Sequence, residues 1–124
     1  MSKVIVIDDE PFILMMIEDK LRRAGIQTIT LRESNNALHI IKKERPDLII
    51  LDWMMPELSG IDLCRMIKAD EELRDIPVFM LTAKGQDADK QLGLKSGAIQ
   101  YITKPFSPKA LLEMVRKVID KGAG

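Results

Sequence analysis

The sequence predicts an α/β fold in which five βα units form an open parallel sheet. Three short runs are continuously apolar, namely VIVI (4–7), LIIL (48–51) and VFML (78–81). Such runs are typical of strands that are covered on both faces of a parallel sheet. Segments with helical spacing of apolar residues separate the runs, and the connections between them are short. Right-handed crossovers then place helices on both faces of the sheet.

Two weaker apolar segments, IQTITL (26–31) and IQYIT (99–103), complete the five predicted strands. Five helices are indicated by apolar residues three or four positions apart. Their markers are, in chain order, Ile13, Ile17 and Leu21 before Gly25; Ala37, Leu38 and Ile41 before Pro46; Ile61, Cys64 and Ile67 after Ser59 and Gly60; the weaker segment 87–96 before Gly97; and Leu111, Val115, Val118 and Ile119. We predict one domain over residues 1–121, with residues 122–124 as a frayed tail or the start of a linker.

The composition is that of an ordinary water-soluble domain, with 46% hydrophobic and 31% charged residues. Nineteen basic residues balance nineteen acidic ones, so no overall field favours nucleic acid or an anionic membrane, and we expect this domain to bind neither. No apolar run approaches the length of a membrane span, and no signal peptide opens the chain. A single cysteine, Cys64, excludes an internal disulfide. These features lead us to expect a cytoplasmic protein.

Acidic residues follow two of the predicted strands. Asp8, Asp9 and Glu10 come directly after the first strand, and Asp52 follows the third. Open parallel sheets bind ligands beyond the carboxyl ends of their strands, where the strand order reverses; in the common order 2-1-3-4-5 this point lies between strands 1 and 3. Two like charges about 4 Å apart repel by roughly 4 kcal/mol at an effective dielectric constant near 20. The cluster therefore requires protonation, a lysine or a divalent cation.

Two further polar residues reach the same edge of the predicted sheet. The fourth strand is followed by Thr82 and the fifth by Lys104. Oxygen ligands that include a few carboxylates are what Mg²⁺ prefers, and one Mg²⁺ together with one lysine would roughly neutralise three carboxylates. Carboxylate, hydroxyl, ammonium and Mg²⁺ are together the groups that phosphoryl transfer uses.

Each of these residues also has a simpler interpretation when it is taken alone. The acids at 8–10 could be the first turn of a helix that begins at Pro11, where the helix dipole favours negative charge. Asp52 could be a charge at a solvated strand end, Thr82 an ordinary strand residue, and Lys104 a solvated side chain. Their convergence on one edge of the sheet favours a functional site.

Four segments, VIDDE (6–10), LDWMMPELSG (51–60), LTAKG (81–85) and YITKPF (101–106), lie in this order at characteristic separations. Together they resemble the receiver domain of bacterial two-component response regulators, and the resemblance spans essentially the whole chain. It implies the flavodoxin-like fold of the chemotaxis regulators, with strand order 2-1-3-4-5. Helices 1 and 5 would lie on one face of the sheet and helices 2, 3 and 4 on the other.

The resemblance implies a phosphoryl acceptor and a metal site. Asp52 would accept the phosphoryl group. Asp8, Asp9, Asp52 and the backbone carbonyl of Met54 would hold Mg²⁺. Met54 and Lys84 lie two positions after Asp52 and Thr82, so we expect their side chains to border the path by which water or a phosphodonor reaches phosphorus.

The same resemblance assigns roles to residues of the fourth and fifth strands. Thr82 and Lys104 would each contact a phosphoryl oxygen, and the Lys104–Pro105 peptide bond would be cis. Tyr101 matches a family aromatic that moves from an exposed to a buried position when the threonine is drawn towards the phosphoryl group. The output face would be formed by helix 4, strand 5 and helix 5.

The function that follows is a phosphorylation-controlled signalling switch rather than an enzyme. A sensor histidine kinase or a histidine phosphotransfer protein would donate the phosphoryl group, and a downstream protein or a C-terminal output domain would receive the signal. The alternative is a Mg²⁺-dependent hydrolase that forms an aspartyl-phosphate; such enzymes typically carry a second acid where this chain has Met54. Flavin binding is less favoured, because no phosphate-binding loop rich in Ser, Thr or Gly follows the first strand.

Overall fold

The computed structural model of the protein describes residues 2–55, 58–83 and 97–123. Its strands are β1 (Lys3–Ile7), β2 (Gln27–Leu31), β3 (Leu48–Asp52), β4 (Val78–Ala83) and β5 (Gln100–Lys104). Its helices are α1 (Pro11–Arg23), α2 (Ala37–Glu44), α3 (Gly60–Ala69) and α4 (Pro108–Ala123). The fourth helix of the prediction, residues 87–96, lies outside the described residues, and α4 is the fifth helix of the prediction.

The five strands form one sheet in the order β2-β1-β3-β4-β5, and every neighbouring pair is parallel. This confirms the predicted α/β class and strand order. The chain passes from β1 to one edge of the sheet and then returns to build β3 on the other side of β1. The crevice between the carboxyl ends of β1 and β3 is therefore the switch point of the sheet.

Both faces of the sheet are covered by helices, which explains the continuous apolar runs. Val4 and Val6 belong to a buried cluster on one face, whereas Ile5 and Ile7 belong to a cluster on the other. The first cluster includes the helix residues Leu14, Ile17, Leu21, Leu111, Val115 and Ile119, and the second includes Ala37, Ile41, Ile61, Cys64 and Ile67. Helices α1 and α4 thus share one face and α2 and α3 the other, as predicted for these four helices.

Local sequence signals set the ends of the helices. Pro11 is the first residue of α1, where its missing N–H costs nothing. Gly25 follows α1 with φ +82°, a conformation that favours glycine. The Ser59 hydroxyl accepts a hydrogen bond from the Asp62 N–H and so caps α3. The last helix continues to Ala123, two residues beyond the predicted domain end. Within the described part of the chain, no helix is long and apolar enough to span a membrane.

The first residue of α3 packs directly against the end of β3. The Gly60 N–H donates to the Trp53 carbonyl at 2.8 Å. A Cβ atom at position 60 would lie 3.0 Å from the Asp52 carbonyl carbon and 3.1 Å from Trp53 Cα, and closer still to the Asp52 carbonyl oxygen. Backbone atoms cannot move aside as a flexible side chain can, so this close approach requires glycine.

This contact predicts that the substitution Gly60→Ala destabilises the protein. Replacing a helical glycine by alanine ordinarily stabilises a protein, but here the added methyl group must displace backbone atoms. We expect the free energy of unfolding to fall by about 1–3 kcal/mol, measured by urea denaturation. A variant as stable as the wild type or more so would show that α3 can shift away from β3 without cost.

Candidate functional site

The register of the sheet places two acidic residues side by side. Ile7 pairs with Leu51 in the β1–β3 ladder, so Asp8 and Asp52, the residues that follow them, lie at the same level. The Asp8 N–H donates to the Leu31 carbonyl at 3.1 Å, which extends the β1–β2 ladder by one residue. Asp8 is completely buried and Asp52 is 5% exposed. The backbone at both positions is therefore fixed by the sheet, and both side chains lie out of water.

Lys104 lies on β5, two strands away from β3, and neutralises part of the negative charge of Asp8 and Asp52. Its Nζ lies 2.8 Å from Asp8 Oδ2, 3.1 Å from Glu10 Oε1 and 3.2 Å from Asp52 Oδ1. Strand β5 is separated from β3 by β4, so only a long side chain can span the distance. A buried ion pair is costly to assemble, and removal of one partner is costlier still. One ammonium thus holds three carboxylates at the switch point.

The acids after β1 form a compact group of oxygen atoms. Asp8, Asp9 and Glu10 each offer one carboxylate oxygen, and these oxygens lie within 4.8 Å of one another. Asp8 Oδ1 accepts a hydrogen bond from the Glu10 N–H at 2.9 Å, which fixes the carboxylate plane. Asp8 Oδ2 is buried and, although close to Lys104, has no hydrogen bond of good geometry among the described residues. An all-oxygen group with an incompletely satisfied carboxylate fits a hard cation such as Mg²⁺.

The pKa shifts at the site show that the positive charge of Lys104 does not fully offset the cost of burying the charged carboxylates. Burial raises the pKa of Asp52 to about 7, helped by the charge of Asp8 and a hydrogen bond with Asp9 and opposed by Lys104. Burial also raises the pKa of Asp8 despite its contact with Lys104. Burial alone would lower the pKa of Lys104, but the ion pair with Asp8 and the charge of Asp52 outweigh it and raise that pKa. Excess negative charge therefore remains when no cation is bound.

Strands β4 and β5 bring further residues towards this edge. Thr82 is buried on β4 and pairs in register with Thr103, the residue before Lys104. Tyr101 is buried on the α2–α3 face of the sheet. Its ring lies edge-to-face against Trp53, with the ring centroids 5.9 Å apart and the planes at 86°. The resemblance implies an exposed and a buried position for this aromatic side chain, and Tyr101 occupies the buried one.

The structure brings Asp8, Asp9, Asp52 and Lys104 together at one edge of the sheet. The Lys104–Pro105 peptide bond is cis, and the Met54 side chain is 59% exposed. Lys84 lies outside the described residues. Sequence reasoning missed Glu10 as a partner of Lys104, although its place in the acidic triplet was a signal. It also missed Trp53 as the contact of Tyr101, for which the sequence carries no signal.

The raised pKa of Asp52 predicts a pH dependence of stability. An acid with a raised pKa binds its proton more tightly in the folded state, so the stability gained at low pH is lost as the pH rises from about 4 towards 7. In metal-free buffer we expect Asp52→Asn to raise the free energy of unfolding by about 2 kcal/mol at pH 8 and by little at pH 4. Urea denaturation at several pH values measures this difference.

The matched control is Asp19→Asn, which removes an exposed carboxylate of α1 that pairs with Arg23. This variant should change stability little at either pH. A gain for Asp52→Asn that does not depend on pH would contradict the assigned burial of the Asp52 charge.

Fold and site together define a flavodoxin-like α/β protein with an acidic centre, held by one lysine, at the switch point of the sheet. A sequence profile with the description "Response regulator receiver domain" matches residues 4–116. The chain belongs to this family, whose members carry out phosphorylation-based signalling in two-component systems.

Two relatives support the same assignment, and the chain spans about half of the length of each. The chain is 45% identical over 116 residues to the phosphate regulon transcriptional regulatory protein PhoB of Pseudomonas aeruginosa, covering 94% of this chain and 51% of PhoB. It is 42% identical over 115 residues to the DNA-binding response regulator MtrA of Mycolicibacterium smegmatis, covering 93% of this chain and 49% of MtrA. The match is to one part of these longer proteins.

Two solved structures match nearly the whole of this chain. A response regulator from Chloroflexus aurantiacus superimposes with a TM-score of 0.90 at 31% identity, covering 96% of this chain and 98% of that one. The receiver domain of the sensor histidine kinase PA1611 from Pseudomonas aeruginosa has a TM-score of 0.87 at 28% identity, with coverage of 96% and 98%. The latter structure holds a magnesium ion in its active site cleft.

Proposed function

We propose that this domain is a phosphorylation-controlled switch in which Asp52 accepts a phosphoryl group. The donor would be a phosphohistidine on a sensor histidine kinase or a histidine phosphotransfer protein. The observation that carries the proposal is the Lys104 ammonium, which lies 3.2 Å from the Asp52 carboxylate and 2.8 Å from Asp8 in a buried site. This arrangement keeps a carboxylate nucleophile in place and supplies a cation for an incoming anion.

The transfer is an in-line displacement at phosphorus. An Asp52 carboxylate oxygen forms the new P–O bond while the P–N bond to the donor imidazole breaks. The imidazole nitrogen keeps the bonding electron pair and takes up a proton. Lys104 is already oriented towards Asp52 and Asp8, so its ammonium can pair with a phosphoryl oxygen without a large movement.

Asp8, Asp9, Asp52 and the carbonyl of Met54 would hold Mg²⁺. When bound, this cation supplies positive charge that screens the approach of one anion to another. Burial, the largest cause of the raised pKa of Asp52 and of Asp8, disfavours their charged forms, and a divalent cation bound beside them would stabilise both carboxylates. The magnesium ion in the related receiver domain of PA1611 is consistent with this assignment.

The phosphorylated state ends when water attacks phosphorus and breaks the P–O bond to Asp52, which releases inorganic phosphate and restores the carboxylate. We propose that Met54 and Lys84 border the path of that water. The Met54 side chain is exposed, so it can lie over the path without being part of the core. Such self-dephosphorylation would reset a signalling module and is distinct from the turnover of phosphoesters by an enzyme.

The signal would leave the site through Thr82 and Tyr101. The new dianion attracts the Thr82 hydroxyl, and β4 carries that change to its neighbour β5, on which Tyr101 lies. The output face would combine the predicted helix 87–96 with β5 and α4. The relatives PhoB and MtrA are about twice as long and are named as a transcriptional regulatory protein and a DNA-binding response regulator, so a downstream protein or an output domain would read this face.

Incubation with a small-molecule phosphodonor such as acetyl phosphate tests the proposed reaction. With Mg²⁺ present we expect one phosphoryl group per chain, attached to Asp52, because Asp52 is the one proposed acceptor. Mass spectrometry of the intact protein measures the stoichiometry. Chelation of Mg²⁺ and the variant Asp52→Asn should each abolish labelling, whereas Asp19→Asn should not affect it. Multiple-turnover release of phosphate from phosphoesters would instead support the hydrolase.

Thr82→Ala should separate phosphorylation from signalling. The variant keeps Asp52 and Lys104, so we expect it to accept the phosphoryl group. We expect phosphorylation to strengthen partner binding about 5- to 150-fold in the wild type, the range that typical coupling energies of about 1–3 kcal/mol give, and to have little effect on binding by Thr82→Ala. Binding titrations with phosphorylated and unphosphorylated protein measure the difference, and Thr82→Ser, which retains the hydroxyl, is the control. Unchanged phosphorylation-dependent binding in Thr82→Ala would contradict the proposed route.

A further inference from the structure

The loop between β2 and α2 contains a buried serine among exposed residues. Ser34 is only 4% exposed, whereas the residues on either side of it, 32–33 and 35–36, are exposed. A hydroxyl group is buried at a cost unless it makes hydrogen bonds. The position of Ser34 therefore requires an explanation that the phosphoryl site does not supply.

Ser34 connects this loop to the loop that follows β3. Its Oγ accepts a hydrogen bond from the Leu58 N–H at 3.1 Å, although the two residues are 24 positions apart. Its carbonyl accepts from the Ala37 N–H at 3.1 Å, which fixes the turn into α2. At the end of β2, directly before this loop, the Leu31 carbonyl accepts from the Asp8 N–H at 3.1 Å. One short segment thus holds the backbone of Asp8 and of the loop after β3.

We propose that Ser34 is a positioning residue for the cation site. The loop after β3 carries Met54, whose carbonyl is a proposed Mg²⁺ ligand, so this inference rests on the proposed function. The side chain of Met54 is exposed and does not anchor the loop, whereas that of Met55 is buried in the core. The bond between Gly60 and Trp53 closes the loop at its base, and the bond between Ser34 and Leu58 attaches it to the neighbouring loop.

Ser34 acts on the cation only through the backbone. Because hydrogen bonds already hold Trp53 and Leu58 on either side of Met54, less conformational entropy is lost when the cation binds. A preorganised ligand set binds more tightly. Loss of the Oγ acceptor would leave the Leu58 N–H without this bond and would let the loop move relative to Asp8. The loss should appear in cation affinity, although no atom of Ser34 is among the proposed ligands.

Ser34→Ala tests the inference, with Thr28→Val as the matched control. Thr28 is also buried, and its hydroxyl donates to the Ile26 carbonyl at 3.1 Å at the opposite end of β2. Both variants lose one buried hydroxyl and one hydrogen bond to the backbone. Mg²⁺ is titrated while the fluorescence of the single tryptophan, Trp53, is recorded. Hydrogen exchange of the Leu58 amide is measured in metal-free protein.

We expect Ser34→Ala to weaken Mg²⁺ binding about fivefold and to speed Leu58 exchange about fivefold, the change that one hydrogen bond worth about 1 kcal/mol produces. Thr28→Val should leave Mg²⁺ affinity unchanged, and Ser34→Thr, which keeps the hydroxyl acceptor, should restore it. Unchanged Mg²⁺ affinity in Ser34→Ala, equal losses in Ser34→Ala and Thr28→Val, or failure of Ser34→Thr to restore affinity would each overturn the inference. Absence of Mg²⁺ binding by the wild type would instead overturn the proposed function.

Discussion

The site depends on one ammonium group shared by three carboxylates. Lys104 Nζ lies within 3.2 Å of oxygen atoms of Asp8, Glu10 and Asp52. Without it, Asp8 and Asp52 would be buried beside each other with no counter-ion, an arrangement that costs several kcal/mol. With it, the fold tolerates the cluster, but burial and the charge of Asp8 outweigh the attraction of Lys104 and keep the pKa of Asp52 raised, at about 7. The same charge imbalance that limits stability makes the site receptive to a cation.

Sheet topology determines which side chains can take part. Strands β1 and β3 are adjacent, so short aspartate side chains at their ends meet directly. Strand β5 lies two places from β3, and neighbouring strands are about 4.8 Å apart. A four-carbon stem is therefore needed to bring a cation from β5 to Asp52, and a shorter basic group could not replace it. The order 2-1-3-4-5 thus assigns the acids to the centre of the sheet and the lysine to its edge.

Features that depend on regular backbone geometry were predictable from the sequence, whereas contacts between loops were not. Continuous apolar runs indicated strands covered on both faces, and the acids at their ends indicated the switch point. The pairing of Glu10 with Lys104 depends on side-chain conformation, which periodicity does not record. The close approach of Gly60 to Asp52 exists only once α3 has packed against β3. Ser34 stands in a polar loop, and nothing local to it indicates that Leu58 will donate to its hydroxyl.

The segment that follows β3 is connected to β4, β5 and the loop before α2 by hydrogen bonds and one ring contact. Asp52 ends the strand, and Trp53 follows it with its N–H bonded to the Leu81 carbonyl at 2.8 Å. The Trp53 ring packs edge-to-face on Tyr101, while Gly60 and Ser34 restrain the loop at two further points. Gly60 lies so close to the Asp52 carbonyl that a Cβ atom would not fit there. The ring of Trp53, through its contact with Tyr101, connects this part of the chain to β5.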